Sequence, residues 1–241
     1  MGGDVPGKTE RVDADPQGPS RRATDTDQAQ RAPGLDAERL RAMLDALAGS
    51  DADLARALRR LGYPASRQRD PGFATLLRII LAQQVSTASA AAIWRKLEAA
   101  LDGLVDPVRF LTLDPTALRA AGFSARKAEY ARGLSRAIVE GALDVDGLAR
   151  LDDTAAIGAL VSLRGFGRWS AEIYLLFALG RDDAFPADDL ALRIAYQRLK
   201  RLDERPGASA LRALTEPWRP YRGAAAVFLW HYYGAATLDD P

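Results

Sequence analysis

The chain has 241 residues, 48% hydrophobic and 27% charged, enough to bury a core in one large or two small domains. Its 33 Lys and Arg against 32 Asp and Glu leave a formal charge of +1, so bulk charge does not point to a polyanionic partner. Zero cysteines exclude disulfides, thiolate nucleophiles, Cys-ligated zinc and iron–sulfur clusters, and a single histidine, His231, cannot supply a His-rich metal site or a Ser-His-Asp triad.

Residues 1–34 carry almost no large apolar side chains and cannot bury enough surface to offset the entropy of ordering them, so they read as a disordered tail. One globular domain is expected over 35–235, followed by a short tail at 236–241. Leu40, Met43, Leu44 and Leu47 recur at helical spacing, as do Leu54, Leu58 and Leu61. Phe73, Leu76, Leu77, Ile80 and Leu81 form a third stripe, entered through Asp70, Pro71 and Gly72. Asp106-Pro107 and Asp114-Pro115 each pair an N-cap with a proline at the first helical position, while Gly122 and Gly141 stand where helices end. No alternating strand and no Asn-Gly hairpin occurs. The fold class is therefore all-α, about nine to eleven short helices. No apolar run approaches the roughly 18 residues of a membrane span and the N-terminus is hydrophilic, so a cytoplasmic protein without a membrane partner is expected.

The stretch LVSLRGFGRWSAE (160–172), followed by the apolar run 173–179, carries the most information. Ile157, Leu160, Val161 and Leu163 close one helix, Gly165-Phe166-Gly167 turns the chain, and a second helix opens near Arg168, a hairpin over about 157–179. Glycines allow unusual backbone angles and close approach of another backbone, Phe166 can plug the gap between the helices, and the opening amides can hold a phosphate oxygen. An ordinary corner between two helices satisfies the same three residues. Twenty residues beyond Trp169, DDAFPADDLALR (182–193) delivers two acids, Asp188 and Asp189, to a helix start. Either is explained as an N-cap. Equally, a carboxylate is favoured as the anion at a helix N-terminus, and there it can stabilise a cationic sugar as an N-glycosidic bond breaks.

Taken together, these stretches resemble the helix-hairpin-helix DNA glycosylase superfamily, and within it the DNA-3-methyladenine glycosylase II (AlkA) type. Three further segments agree: IILAQQVS (79–86), AGFSARKAEY (121–130), and EPWRPYRG (216–223) leading to FLW (228–230). The resemblance implies two helical subdomains with the active-site cleft between them, and too little chain before the Phe73 helix for the β-sheet domain of longer AlkA enzymes. It places the catalytic aspartate on Asp189, leaving Asp188 as a cap or loop anchor. Trp169 stands where bifunctional relatives carry a Schiff-base lysine, so a monofunctional enzyme that leaves an abasic site is expected.

Trp169, Trp230 and Tyr174 would form the base pocket, Tyr174 lying beside Ile173, which holds the place of a family tyrosine. An indole face attracts a cationic alkylated purine by up to about 2 kcal/mol. Core packing is the alternative for either tryptophan. Gln83 or Gln84 would fill the gap left by the flipped nucleotide, or else cross-link helices. The amides of Gly165, Gly167 and Ser170, with Arg168 and Arg222, would hold DNA phosphates. Carbonyls of Val161, Leu163 and Phe166 match a monovalent cation site (Na+ or K+), and no catalytic cofactor is implied. The expected partner is double-stranded DNA containing damaged bases, met by a monomer that is nucleoid-associated when bound. The expected activity is excision of 3-methyladenine and 7-methylguanine in base excision repair. Excision of deaminated or etheno-modified bases (hypoxanthine, 1,N6-ethenoadenine), or a non-catalytic DNA-binding module, are the alternatives.

Overall fold

The computed structural model describes residues 35–236. The tails expected at 1–34 and 236–241 lie outside them, except that Ala236 closes the last helix. The described residues hold twelve α-helices and two 3-10 turns and contain no strand, slightly more elements than the apolar stripes count out. Two helices open the domain, α1 (Ala37–Ser50) and α2 (Ala52–Leu61), so helix and no strand precedes α3 (Phe73–Ala82). There follow α4 (Thr87–Ala100), α5 (Pro107–Thr112), α6 (Pro115–Ala121), α7 (Ala125–Val139), α8 (Asp153–Val161) and α9 (Arg168–Phe177). The chain ends in α10 (Leu190–Lys200), α11 (Ala208–Leu214) and α12 (Arg222–Ala236).

Local chemistry explains most boundaries. Asp106 and Asp114 each accept two backbone N–H bonds at a helix start with proline in the first turn, and Gly122 is the left-handed C-cap of α6. Asp51, Ser124 and Asp152 cap α2, α7 and α8 in the same way. Most of the stripe residues are buried, Leu44, Leu54, Leu76, Leu77 and Ile80 completely.

The helices pack in two sets that share one continuous core. α1, α2, α10 and α12 lie against one another, and α3 to α7 form the second set. α9 packs on α3 and on α8, so the α8–α9 hairpin stands beside the second set. One long-range cluster fixes the first set. Asp51 Oδ1 and Oδ2 each accept from Lys200 Nζ at 2.7 Å, and Oδ2 also accepts from Trp218 Nε1 at 2.8 Å. Burial works against the Asp51 anion, but the bonds from Lys200, the Leu54 amide and Trp218 outweigh it and hold the carboxyl below its ordinary range.

Candidate active site

Asp189 is the N-cap of α10, and its Oδ1 accepts from Leu192 N at 3.0 Å. The same carboxylate also receives two indoles. Trp169 Nε1 donates to Oδ2 at 3.0 Å, and Trp230 Nε1 donates to Oδ1 at 3.2 Å. All three side chains are half-buried. Trp169 comes from the first turn of α9 and Trp230 from α12, so the carboxylate lies where the first helix set meets α9. Three N–H donors fix its orientation, and Oδ2, with one donor, keeps acceptor capacity for a developing positive charge or a water. The tryptophans are thus neither plain core nor free walls; they orient the acid.

Asp188, by contrast, is exposed and pairs with Arg212. Arg212 also lies 3.5 Å from Glu172, a buried carboxyl on α9 that accepts from Arg168 Nε at 2.8 Å. Burial pushes the Glu172 carboxyl above its ordinary range despite these two cations. Asp188 is therefore an anchor of the loop that carries Asp189.

Two expected positions do not serve the site. Tyr174 is fully buried, and its hydroxyl accepts from Gly72 N at 2.9 Å, so it is core behind α9 and not a wall of the pocket. Helical geometry gives the reason. Residues 169, 173 and 177 follow one another at four-residue steps on one face, whereas residue 174 is turned about 140° away from 169. The aromatic on the correct face is Phe177, whose ring stacks on Trp230 at 5.7 Å, and the i, i+4, i+8 spacing was the signal for it. Trp169, Ile173 and Phe177 line a cavity of 140 Å³.

The second correction is Arg222. Its guanidinium makes a two-point bond to Asp183 (2.9 and 2.7 Å) and a third bond to Glu216 at 3.0 Å, with the side chain 11% exposed. It is held inside the fold and is not presented to a phosphate. Arg168 remains exposed beyond its bond to Glu172.

The hairpin supplies the remaining part. α9 opens at Gly167 without any side-chain cap, so the amides of its first turn are left for an outside acceptor. Phe166 is buried between the helices. Gly165 has φ +98° and a Cβ there would lie 2.4 Å from ring atoms of Tyr130, so this position demands glycine; a Cβ on Gly167 meets nothing within 4 Å. Ser170 is buried, and its Oγ accepts from Gln83 Nε2 at 3.2 Å. Gln83 Nε2 also donates to Gly165 O at 2.9 Å. Gln83 thus cross-links α3 to the hairpin and is not free to enter a duplex, while Gln84 stands exposed at the tip of the turn with φ +57°. Both border a cleft of 590 Å³ whose walls also include Lys127, Tyr130, Gly165, Gly167 and Trp169. Lys127, within segment 121–130, also lines this cleft, a placement that no sequence pattern signalled. Val161, Leu163 and Phe166 lie at the α8–α9 connection, where Leu163 O accepts from Phe166 N at 3.0 Å. Among the described residues no cluster of three or more His, Asp or Glu is placed to hold a metal.

A carboxylate clasped by two indoles, beside an uncapped helix N-terminus with a glycine turn, defines a helix-hairpin-helix base-excision architecture. The comparisons agree. Residues 77–220 match the family model described as HhH-GPD superfamily base excision DNA repair protein, and the chain belongs to that family. It is 32% identical over 201 residues to DNA-3-methyladenine glycosylase 1 of Schizosaccharomyces pombe, covering 81% of this chain and 88% of that protein. It is 30% identical over 194 residues to DNA-3-methyladenine glycosylase 2 of Escherichia coli, covering 74% of this chain and 65% of that protein. Among solved structures, the S. pombe 3-methyladenine DNA glycosylase in complex with abasic DNA superposes with a TM-score of 0.74 at 30% identity, over 83% of this chain and 98% of that one. The Bacillus halodurans DNA-3-methyladenine glycosidase gives 0.73 at 29% identity, over 82% and 91%.

Proposed function

We propose that the chain is a monofunctional DNA glycosylase of base excision repair that removes alkylated purines of the 3-methyladenine and 7-methylguanine class from double-stranded DNA. The observation that carries this reading is the Asp189 carboxylate held by two indole N–H groups, one of them on the ring that stacks with Phe177. The C1′–N bond of the flipped nucleotide breaks with both electrons leaving on the base, and positive charge develops on the sugar. Asp189 stabilises that charge at the face where water then adds to C1′ and gives up its proton to the Asp189 carboxylate. An alkylated purine already carries positive charge, departs as a neutral base and needs a modest catalyst. Trp169 offers no amine for a Schiff base, so the strand stays intact.

Phosphate grip falls to the first-turn amides of α9 and to Arg168, and the polar plug to Gln84. A monovalent cation belongs to the same proposal, since a carbonyl such as Leu163 O has a second lone pair beyond its bond to Phe166 N. The enzyme would work as a cytoplasmic monomer on nucleoid DNA, the likeness to a DNA-bound relative supporting the DNA part.

A second reading has one specific observation behind it. Arg67 and Arg69 also line the 140 Å³ cavity, while the Arg78 guanidinium lies over the Trp94 ring, and cationic side chains at that wall favour neutral, acceptor-bearing bases such as hypoxanthine and 1,N6-ethenoadenine over cationic ones. The test is a release assay on methylated DNA and on duplexes with single lesions, with chromatography of the freed base. Free 3-methyladenine and 7-methylguanine are expected, with strands that break only after alkali. Release confined to the neutral bases would select the second reading; no release from any lesion would overturn both.

A further inference from the structure

We infer that Lys127 and Gln83 are positioning residues that hold Gln84 ready for insertion into the duplex and tie its turn to the glycine hairpin. The inference rests on the glycosylase reading above and adds how the inserted residue is kept in place.

α3 ends at Ala82, and the chain reverses through Gln83 and Gln84. Gln84 stands in the left-handed region at φ +57°, which costs an L residue about 1–2 kcal/mol, and such a conformation persists only where the surroundings over-determine it. Two clamps do so here. Lys127 Nζ donates at 2.6 Å to Leu81 O, one of the last carbonyls of α3, which the helix itself leaves without a partner. On the other side, Gln83 Nε2 reaches Gly165 O and Ser170 Oγ, on either side of the phosphate-facing amides.

The same helix secures the far end. Tyr130, on α7 with Lys127, packs so closely on Gly165 that no Cβ fits there. α3's end, α7's first turns and the glycine turn therefore form one unit, and Gln84 is its exposed tip at the edge of the cleft. The Lys127 ammonium is half-buried, and burial lowers its proton affinity. The register between phosphate grip and inserted side chain is thereby fixed before DNA arrives, so these residues act on the flipping step and leave the chemistry at Asp189 alone.

The experiment uses the full chain and two duplexes, one with the lesion opposite its normal partner and one with it opposite an abasic site, where unstacking costs less. Flipping is followed by the fluorescence of 2-aminopurine placed beside the lesion, and base release by single-turnover chemistry. On the paired duplex, Lys127→Met and Gln84→Ala are each expected to slow flipping and release roughly tenfold. On the duplex with the abasic site opposite, both should come within about threefold of the unaltered chain. Lys127→Arg should restore most of the rate, and Lys127→Met combined with Gln84→Ala should be no slower than Gln84→Ala alone. Gln83→Met repeats the test from the other clamp should Lys127→Met not fold.

Equal slowing of both duplexes with a lowered Tm would show a structural part only and overturn the inference. So would weaker binding to both duplexes with a salt slope reduced by about one, the mark of a phosphate contact. Full activity of Gln84→Ala on the paired duplex overturns the inserted residue while leaving the glycosylase reading intact. No release by the unaltered chain from either duplex overturns the glycosylase reading itself.

Discussion

At Asp189, two tryptophan N–H groups and a backbone amide converge on one carboxylate, and each comes from a different turn of helix. The hairpin glycines show a comparable division of labour. Gly165 is required by the fold, because a methyl group there strikes Tyr130 and its φ is positive. Gly167 is required by nothing inside the protein, since its φ is −99° and a Cβ there meets nothing. Gly165→Ala is therefore expected to lower Tm by several degrees, whereas Gly167→Ala should leave Tm unchanged and weaken DNA binding about tenfold by crowding the phosphate site. Thermal unfolding and a binding titration check both; a Gly167→Ala protein with unaltered affinity would remove the phosphate from this turn. The loop and its spacing to the hairpin left Asp188 and Asp189 both open as caps, and only the family resemblance distinguished position 189. Tyr174 was misplaced because adjacency to Ile173 in sequence means about 100° of rotation on a helix, enough to exchange pocket for core.

At the scale of helices, boundaries were the legible part. Asp before a helix, proline after Asp and glycine after the last turn act over three or four residues, and the structure follows them at Asp106, Asp114 and Gly122. Pairings between helices were not legible. Asp51 is a local cap of α2 in the structure, yet its partners Lys200 and Trp218 lie 149 and 167 residues away. The depressed Asp51 carboxyl gives stability that is present above its ordinary pKa of 3.8 and lost as pH falls through the folded value. Lys200, held above 10.5, loses its share as pH rises through that raised value. Asp51→Ala, which leaves Lys200 without its main partner, is expected to cost about 3 kcal/mol at neutral pH by urea unfolding. The gap to the unaltered chain should narrow in acid below pH 3.8. A gap that stays constant into acid would contradict the ion pair as its source.

For the whole molecule, a charge of +1 is compatible with DNA binding because the grip proposed at the hairpin is made by backbone amides of an uncapped helix start and needs no massed lysines, and several cations are already paired within the fold. Arg222 and Arg219 are bound to Asp183 and Glu216, Lys200 to Asp51 and Asp53, and Arg39 to Asp182. A residue count cannot tell a paired arginine from one facing solvent, and this is why Arg222 resembled a phosphate contact in the sequence. What faces outward at the hairpin is a row of backbone amides with Arg168 beside it, and below it the acid clasped by two indoles. The most direct test of that arrangement is single-turnover base release by Asp189→Asn. Asparagine can keep an oxygen toward the Trp230 indole and the Leu192 amide, but it turns an NH2 group toward the Trp169 N–H and carries no charge. Loss of release by 10²-fold or more, on the order of 3 kcal/mol of transition-state stabilisation, with DNA affinity retained, is the expected result. Release at an undiminished rate would contradict the assignment of Asp189 as the catalytic residue.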